Sequence, residues 1–167
     1  AGAGHEVGGL IGVGEQLRMV ERALGADAVF LARGAGFQAA QAAELAFDGD
    51  ADRCFVVDEK GEGISGSLIT ALVARAMLRD HPGSSVVHNV ICSWTVPEVI
   101  REGGGTPVRT RVGHSFIKQV MAETGAVFGG EHSGHYYFRD NYRADSGLIA
   151  AVIVLERLSR AAEPLSA

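Results

Sequence analysis

The stretch A-F-D-G-D-A-D-R-C-F-V-V-D, residues 46 to 58, places an acidic loop between two short apolar runs that are typical of strands. The loop carries three carboxylates on alternate residues: Asp48, Asp50 and Asp52. The small residues between them, Gly49 and Ala51, let the backbone curl so that the carboxylate oxygens converge. Converging carboxylates repel one another unless a cation lies among them, and oxygen ligands favour Mg²⁺, Ca²⁺ or Mn²⁺ over Zn²⁺. We therefore predict that these three carboxylates hold a hard metal ion.

The next residue, Arg53, extends this prediction from a metal ion to a phosphate, because its planar fork of N–H donors matches a pair of phosphate oxygens. Two other interpretations of the loop are weighed against this one. A calcium loop of the EF-hand type would place Glu59 at its twelfth position, but Arg53 stands where glycine is required and the flanks resemble strands, not helices. An acidic turn between two hairpin strands accounts for Asp48 and Gly49 but not for the carboxylates that follow.

The composition of the chain excludes several classes of protein. Its 167 residues suit one domain or two small ones, and a hydrophobic content of 47% supports a core. A net charge of -5 argues against nucleic-acid binding, which needs a basic face. The two cysteines lie in apolar runs and indicate buried thiols in a reducing compartment. Because no apolar run reaches membrane-spanning length and the start lacks the features of a signal peptide, we expect a cytoplasmic protein without membrane contact.

The hydrophobic pattern alternates between strand-like and helix-like segments. Strands are predicted at residues 28–31, 45–47, 54–57, 85–91, 107–112 and 126–129. Helices are predicted at residues 15–24, 36–44, 65–78, 95–101, 115–123 and 147–158. Such alternation predicts the α/β class, with a mainly parallel mixed sheet and helices on both faces.

The string D-G-D-A-D-R resembles the metal-binding loop of the alpha-D-phosphohexomutases, the phosphomannomutase and phosphoglucomutase enzymes. Two later segments are similar to the sugar-facing segments of that family and come in the expected order: R-V-G-H-S-F-I-K at residues 111–118 and G-G-E-H-S-G-H at residues 129–135. The phrases S-W-T-V-P-E at residues 93–98 and Y-Y-F-R-D at residues 136–140 resemble the bacterial phosphomannomutase branch. The resemblance extends over residues 44–159.

The resemblance implies two repeated α/β units of the phosphohexomutase type. Residues 1–60 are expected to contain an unmatched N-terminal segment and the end of a unit similar to the family's second domain, with the metal loop. Residues 61–167 are expected to form a unit similar to the third domain, with the sugar-binding loop. The family's phosphoserine loop and the phosphate-binding loop of its fourth domain have no counterpart in the sequence. We therefore expect the chain alone to be inactive, with the missing domains of the same enzyme as its partners.

The resemblance also assigns roles to individual side chains. Glu131 and Ser133 match residues that hold sugar hydroxyls, and His135 is a candidate general acid or base because imidazole titrates near neutral pH. His114 begins a predicted helix, whose first amides favour anions, and Lys118 lies one turn later on the same face. Both could contact a phosphate or sugar oxygen. The plainer alternatives are a polar turn at residues 131–135, an imidazole packed beside two tyrosines, and a solvated lysine.

The reaction implied by the resemblance moves phosphate between the 1- and 6-positions of a mannose or glucose phosphate, through a phosphoserine enzyme and Mg²⁺. In that reaction Asp48, Asp50 and Asp52 would hold Mg²⁺, and Arg53 would position the transferring group. A non-catalytic sugar-phosphate-binding module and an isolated structural fragment of the mutase stay open as alternatives. Trp94 departs from several members of the family, which carry arginine after this serine, and could stack on a sugar face or pack in the core.

Overall fold

The computed structural model describes residues 32–33, 43–161 and 163–166. In chain order these residues form β1 (Ala32–Arg33), β2 (Glu44–Phe47), β3 (Cys54–Val57), β4 (Gly63–Ile64), α1 (Gly66–Asp80), β5 (Ser85–Asn89), α2 (Thr95–Glu102), β6 (Thr106–Thr110), α3 (His114–Thr124), β7 (Phe128–Gly130), β8 (Tyr136–Phe138) and α4 (Gly147–Arg160). The helix predicted at residues 15–24, the strand predicted at residues 28–31 and most of the helix predicted at residues 36–44 lie outside the described residues.

The first sheet is antiparallel and has the strand order β1-β2-β3-β4. Strands β2 and β3 form a hairpin in which Phe47 pairs with Cys54, so the acidic loop is the hairpin connection. The strands on both sides of the loop exclude the helix-flanked calcium loop. The hairpin itself agrees with the alternative of an acidic turn, and it is equally compatible with a metal loop, since both need the same connection between β2 and β3.

The second sheet is mixed and has the strand order β6-β5-β7-β8. Strand β5 lies parallel to both β6 and β7, and β8 runs antiparallel to β7. Helices α1, α2 and α3 alternate with the strands along the chain, which confirms the predicted α/β class. Strands β1, β4 and β8 were absent from the prediction.

The core lies on both faces of the second sheet. Successive residues of β5 point to opposite sides: Val86 packs in the cluster of α1 and α2, and Val87 packs against Ile117 and Met121 of α3. Two glycines of β7 show how closely the helices approach the sheet. A Cβ atom on Gly129 would lie 2.8 Å from Ile117 Cγ2 of α3. On the other face, a Cβ atom on Gly130 would overlap Thr70 of α1. The helices therefore cover both faces, as predicted.

Local capping explains where the helices begin and end. The Ser65 hydroxyl accepts a hydrogen bond from Leu68 N–H at the start of α1. Ser146 caps α4 in the same way, and Gly103 ends α2. Within the described residues, none of the helices combines the length and the apolar character needed to cross a bilayer.

Candidate functional site

The acidic loop between β2 and β3 folds back on itself and brings its carboxylates together. Ala51 adopts a left-handed conformation with φ of 57°, and its N–H donates to the Asp48 carbonyl over 3.1 Å. Ligand oxygens of the three predicted metal ligands then lie within 4.8 Å of one another: Asp48, Asp50 and Asp52. The loop thus places the three carboxylates as a hard-metal site requires, while their role as ligands stays a prediction.

Arg53 is held by the first of these carboxylates. Its Nε donates to Asp48 Oδ2 over 2.5 Å, and its backbone N–H donates to Asp48 Oδ1 over 3.2 Å. Partial burial acts to raise the pKa of Asp48, but the hydrogen bonds from Arg53 together outweigh it and hold that pKa below its ordinary value. The ion pair uses Nε, so the terminal nitrogens of the guanidinium group are the atoms that could contact an anion.

Asp52 shows the clearest local need for a cation. Among the described residues, its buried Oδ1 atom has no hydrogen-bond partner, and its ion pair with Arg53 Nε is long, at 3.8 Å. Burial raises the pKa of Asp52, the neighbouring Asp48 carboxylate raises it further, and His135 opposes both effects. A divalent cation among the loop carboxylates would satisfy the orphaned oxygen and remove their mutual repulsion. The residues present therefore fit a hard, oxygen-ligated metal ion.

The segment of residues 131–135, here called the 131–135 loop, is fastened directly to the start of β3. Arg53 and His135 form an antiparallel bridge, and Cys54 N–H donates to the Gly134 carbonyl over 3.1 Å. Gly134 has φ of 89°, and a Cβ atom there would lie 3.3 Å from the Cys54 carbonyl oxygen. Glycine thus allows the two segments to approach closely, and the acidic loop and the 131–135 loop share one site.

Glu131 is the buried centre of the second half of this site, with 3% of its surface exposed. Its Oε1 accepts from Asn89 Nδ2 over 3.0 Å and from Gly113 N–H over 3.1 Å. Its Oε2 accepts from Tyr137 Oη over 2.8 Å. The pKa of Tyr137 is raised by burial first and by this carboxylate second. Glu131 therefore joins the segment before α3 to the 131–135 loop, and protein donors occupy both of its oxygens.

His135 lies between the two halves of the site and is half-buried. Its Nδ1 is 3.1 Å from Ser133 Oγ and 3.8 Å from Glu131 Oε2, and its Nε2 is 3.6 Å from Asp52 Oδ2. The ring also stacks on Tyr137, with centroids 6.4 Å apart. A histidine within reach of carboxylates on both sides could hold or pass a proton, and its packing beside tyrosine is compatible with that role.

Lys118 extends from α3 toward the same region. Its Nζ is 3.0 Å from Asp145 Oδ1 and 5.5 Å from the centroid of the Tyr137 ring. Asp145, His135 and Asp52 also offer ligand atoms that lie within 4.8 Å of one another. His114, the first residue of α3, is exposed beside Gly113 at the edge of this cluster.

Three residues of the site were absent from the sequence prediction: Asn89, Tyr137 and Asp145. Asn89 ends β5, and the carboxyl end of a parallel strand is a signal that could have identified it. Tyr137 lies in the phrase at residues 136–140, which gave it no role in the site, and Asp145 lies in no motif. They reach the site because β8 pairs with β7 and because Asp145 bridges to Tyr137, and both are long-range features of the fold.

Comparison with known proteins identifies what this arrangement is similar to. A family model described as phosphoglucomutase/phosphomannomutase, alpha/beta/alpha domain III, matches residues 65–167. The phosphomannomutase of Escherichia coli K12 is 47% identical over 112 residues, which are 67% of this chain and 25% of that protein. The phosphomannomutase of Vibrio cholerae is 44% identical over 117 residues, 70% of this chain and 25% of that protein.

A solved structure shares the fold of the described residues. The crystal structure of a phosphoglucomutase/phosphomannomutase family protein from Burkholderia thailandensis matches with a TM-score of 0.70 and 38% identity, over 74% of this chain and 27% of that one. The chain therefore spans about a quarter of the length of the curated relatives that it matches.

Proposed function

Because the chain belongs to the phosphoglucomutase/phosphomannomutase family, we propose that it carries the metal-binding and sugar-binding segments of a phosphohexomutase. Such an enzyme is an isomerase that moves phosphate between the 1- and 6-positions of a hexose, with mannose or glucose phosphate as substrate. The division into a metal-loop part at residues 1–60 and a sugar-binding part at residues 61–167 belongs to this proposal.

One observation supports the proposal above the others: the metal loop and the 131–135 loop are joined by backbone pairing. The bridge between Arg53 and His135 brings an acidic cluster, a guanidinium group and an imidazole into one cluster of side chains. A phosphoryl group carries several negative oxygens, and its transfer depends mainly on positioning and on electrostatic stabilisation. A cation site beside an arginine fits that demand.

In the proposed mechanism the three loop carboxylates would hold Mg²⁺: Asp48, Asp50 and Asp52. When bound, Mg²⁺ neutralises charge on the oxygens of the phosphoryl group. Arg53 is held through Nε by Asp48, and its terminal N–H groups would donate to the same anion. Lys118 adds a second positive charge from α3, where its ion pair with Asp145 restricts its range of positions.

The remaining residues act on the sugar and on the proton. We assign Ser133 and the exposed His114 to contacts with the sugar oxygens. Glu131 is assigned to the sugar as well: its carboxylate would accept a hydrogen bond from a sugar hydroxyl in place of one of its present protein donors. His135 lies where a proton can be held at Nε2, which is 3.6 Å from Asp52 Oδ2.

The phosphoserine of the proposed reaction must come from another part of the enzyme, because the chain lacks the recognisable serine loop. We therefore propose that the chain alone is inactive and works together with the other domains. We also propose a cytoplasmic setting, which the two free thiols, Cys54 and Cys92, support because thiols persist in a reducing compartment.

Titration calorimetry with Mg²⁺ tests the metal site. We expect the purified chain to bind Mg²⁺ weakly, on the order of millimolar, since three carboxylates leave several positions to water. The triple variant with Asp48, Asp50 and Asp52 changed to alanine should lose the binding heat. Asp80→Ala removes an exposed carboxylate at the end of α1 and should retain it. Equal binding by the triple variant and the wild-type chain would contradict the metal assignment.

A coupled assay for glucose 6-phosphate tests the claim of inactivity. We expect no turnover of glucose 1-phosphate by the chain alone above the rate of the triple alanine variant. Turnover that depends on the three aspartates would show that the chain supplies its own phosphoryl donor, and it would overturn that part of the proposal.

A further inference from the structure

Trp94 has an exposed side chain in the connection between β5 and α2. It immediately precedes the first residue of α2, and 74% of its surface is exposed. The alternative that the indole packs in the core is therefore wrong. The carboxyl end of a parallel strand is where ligands collect in α/β folds, so this position is a favourable one for contact with a small molecule.

The backbone that carries Trp94 is fixed to the 131–135 loop. Ser93 N–H donates to Ser67 Oγ over 3.0 Å, and the same hydroxyl lies 2.9 Å from Nδ1 of His132. On the other side, the Cys92 thiol contacts the Gly130 carbonyl, at 3.9 Å. An exposed aromatic ring on a fixed backbone loses little conformational freedom when it is covered, which favours its use as a binding platform.

The edge of the sheet where Trp94 lies combines apolar and polar groups. Three further apolar side chains that follow β5 and β6 are 42 to 53% exposed: Val90, Ile91 and Val112. Strand β5 lies between β6 and β7 and is parallel to both, so the segments that follow these strands leave the same edge of the sheet, and the 131–135 loop with its polar Ser133 follows β7 directly. A hexose has the same division, since its C–H groups form apolar faces and its hydroxyls project around the edge. Aromatic rings cover such faces, and a few placed polar groups fix the orientation of the ligand.

We propose that the indole of Trp94 stacks on an apolar C–H face of the hexose ring, while the sugar hydroxyls face the 131–135 loop. This inference rests on the proposed function, because it takes a hexose phosphate as the ligand. It adds a specific contact: the chain recognises the ring itself, in addition to the phosphate and the hydroxyls.

The chain contains one tryptophan, so its indole fluorescence reports on Trp94 alone. We expect titration with glucose 1-phosphate in the presence of Mg²⁺ to shift the emission to shorter wavelength, because the sugar replaces water over the ring. Inorganic phosphate and glycerol 3-phosphate lack the ring and should leave the emission unchanged. Calorimetry on the same samples measures whether each compound binds.

Substitutions then separate stacking from other effects. Trp94→Ala should weaken the affinity for glucose 1-phosphate about tenfold, equivalent to about 1.4 kcal/mol, and Trp94→Phe should restore most of it. Val152→Ala is the control: it removes part of an exposed apolar side chain on α4, beside the last residues of α1. It should leave the affinity for glucose 1-phosphate unchanged. Circular dichroism checks that each variant folds, which we expect for substitutions at exposed positions.

The possible results distinguish the inference from the proposed function. One result would overturn the stacking alone: calorimetry shows that glucose 1-phosphate binds, the emission wavelength does not change, and Trp94→Ala binds as tightly as the wild-type chain. The proposed function would then stand. An equal emission change with glycerol 3-phosphate would also overturn the stacking, since no ring is present. If the chain binds Mg²⁺ but no hexose phosphate at millimolar concentration, the sugar-binding role assigned to this chain and the inference both fail.

Discussion

Replacement of Gly147 should disturb the acidic loop directly, although Gly147 lies far from that loop in the sequence. It begins α4, and its N–H donates to the Ala51 carbonyl over 3.0 Å. A Cβ atom at Gly147 would overlap the Arg53 carbonyl oxygen and would lie 2.5 Å from its carbonyl carbon and 2.9 Å from the Ala51 carbonyl oxygen. All of these are backbone atoms of the acidic loop, so Gly147→Ala must separate α4 from that loop.

The expected cost follows from three opposing effects. Overpacking costs about 1 to 3 kcal/mol, and loss of the hydrogen bond from the Gly147 N–H costs about 1 kcal/mol. Alanine lowers the free energy of a helix relative to glycine by up to about 1 kcal/mol. We therefore expect Gly147→Ala to lower the free energy of unfolding by about 2 kcal/mol, and the Tm by about 6 °C for a chain of this size.

Urea denaturation and Mg²⁺ calorimetry measure the two consequences. Gly147→Ala should be destabilised and should also bind Mg²⁺ more weakly, since the displaced backbone carries Asp50 and Asp52. Gly63→Ala is the matched control because nothing lies within 4 Å of a Cβ atom there, and we expect a change within about 0.5 kcal/mol. A Gly147→Ala variant with the stability and the Mg²⁺ affinity of the wild-type chain would refute the contact between α4 and the acidic loop.

Three further predictions concern buried groups. Tyr137→Phe removes a donor to the buried Glu131 carboxylate and should lower the free energy of unfolding by about 1.5 to 3 kcal/mol in urea; a change below about 0.5 kcal/mol would contradict the hydrogen bond. Burial lowers the pKa of His88, so the unfolded chain takes up a proton at higher pH than the folded chain does. The contribution of His88 to stability should therefore be fully present above the ordinary pKa of 6.5 and should be lost as the pH falls below that value. Denaturation curves at several pH values should show a smaller loss of stability at low pH in His88→Asn than in the wild-type chain. An equal loss in both would mean that other groups cause the pH dependence. Burial raises the pKa of Cys54 to about 12, so iodoacetamide at pH 8 should label this thiol only after unfolding, as mass spectrometry can measure, whereas labelling in the folded chain would show that the thiol is accessible.

The helices were predictable because their signals are local. Ser65 caps α1, Pro97 lies in the first turn of α2 and Gly103 ends it, and each signal depends only on nearby residues. The apolar runs that became β2 and β3 were equally clear. Their antiparallel pairing was not predictable, because a connection of six residues between two strands does not by itself show that the strands form a hairpin.

Strand β8 shows where local reasoning ends. Its three residues are all buried and have no alternation of polar and apolar side chains. Their strand conformation comes from pairing with β7, which is a long-range interaction. The role of Glu131 as a buried acceptor has the same origin, because its donors come from β5, from the residue before α3 and from β8. Neither the pairing nor the burial has a signal within the segment itself.

The convergence of the carboxylates in the acidic loop was predictable, but the contacts of the loop with α4 and the position of Lys118 on α3 were not. Alternate carboxylates and small residues between them indicated convergence, and the oxygens do converge. The attachment of Gly147 to the Ala51 carbonyl and the salt bridge between Lys118 and Asp145 depend on where α3 and α4 pack, which periodicity does not determine.

The backbone pairing at the start of β3 also limits how the site can move. Cys54 donates to the 131–135 loop through its N–H and accepts from Tyr136 Oη through its carbonyl, while the acidic loop accepts from the first N–H of α4. These hydrogen bonds oppose separation of the two halves of the site. A motion that moved one half away from the other around a substrate would have to break them, so a change in backbone angles outside this junction costs less free energy.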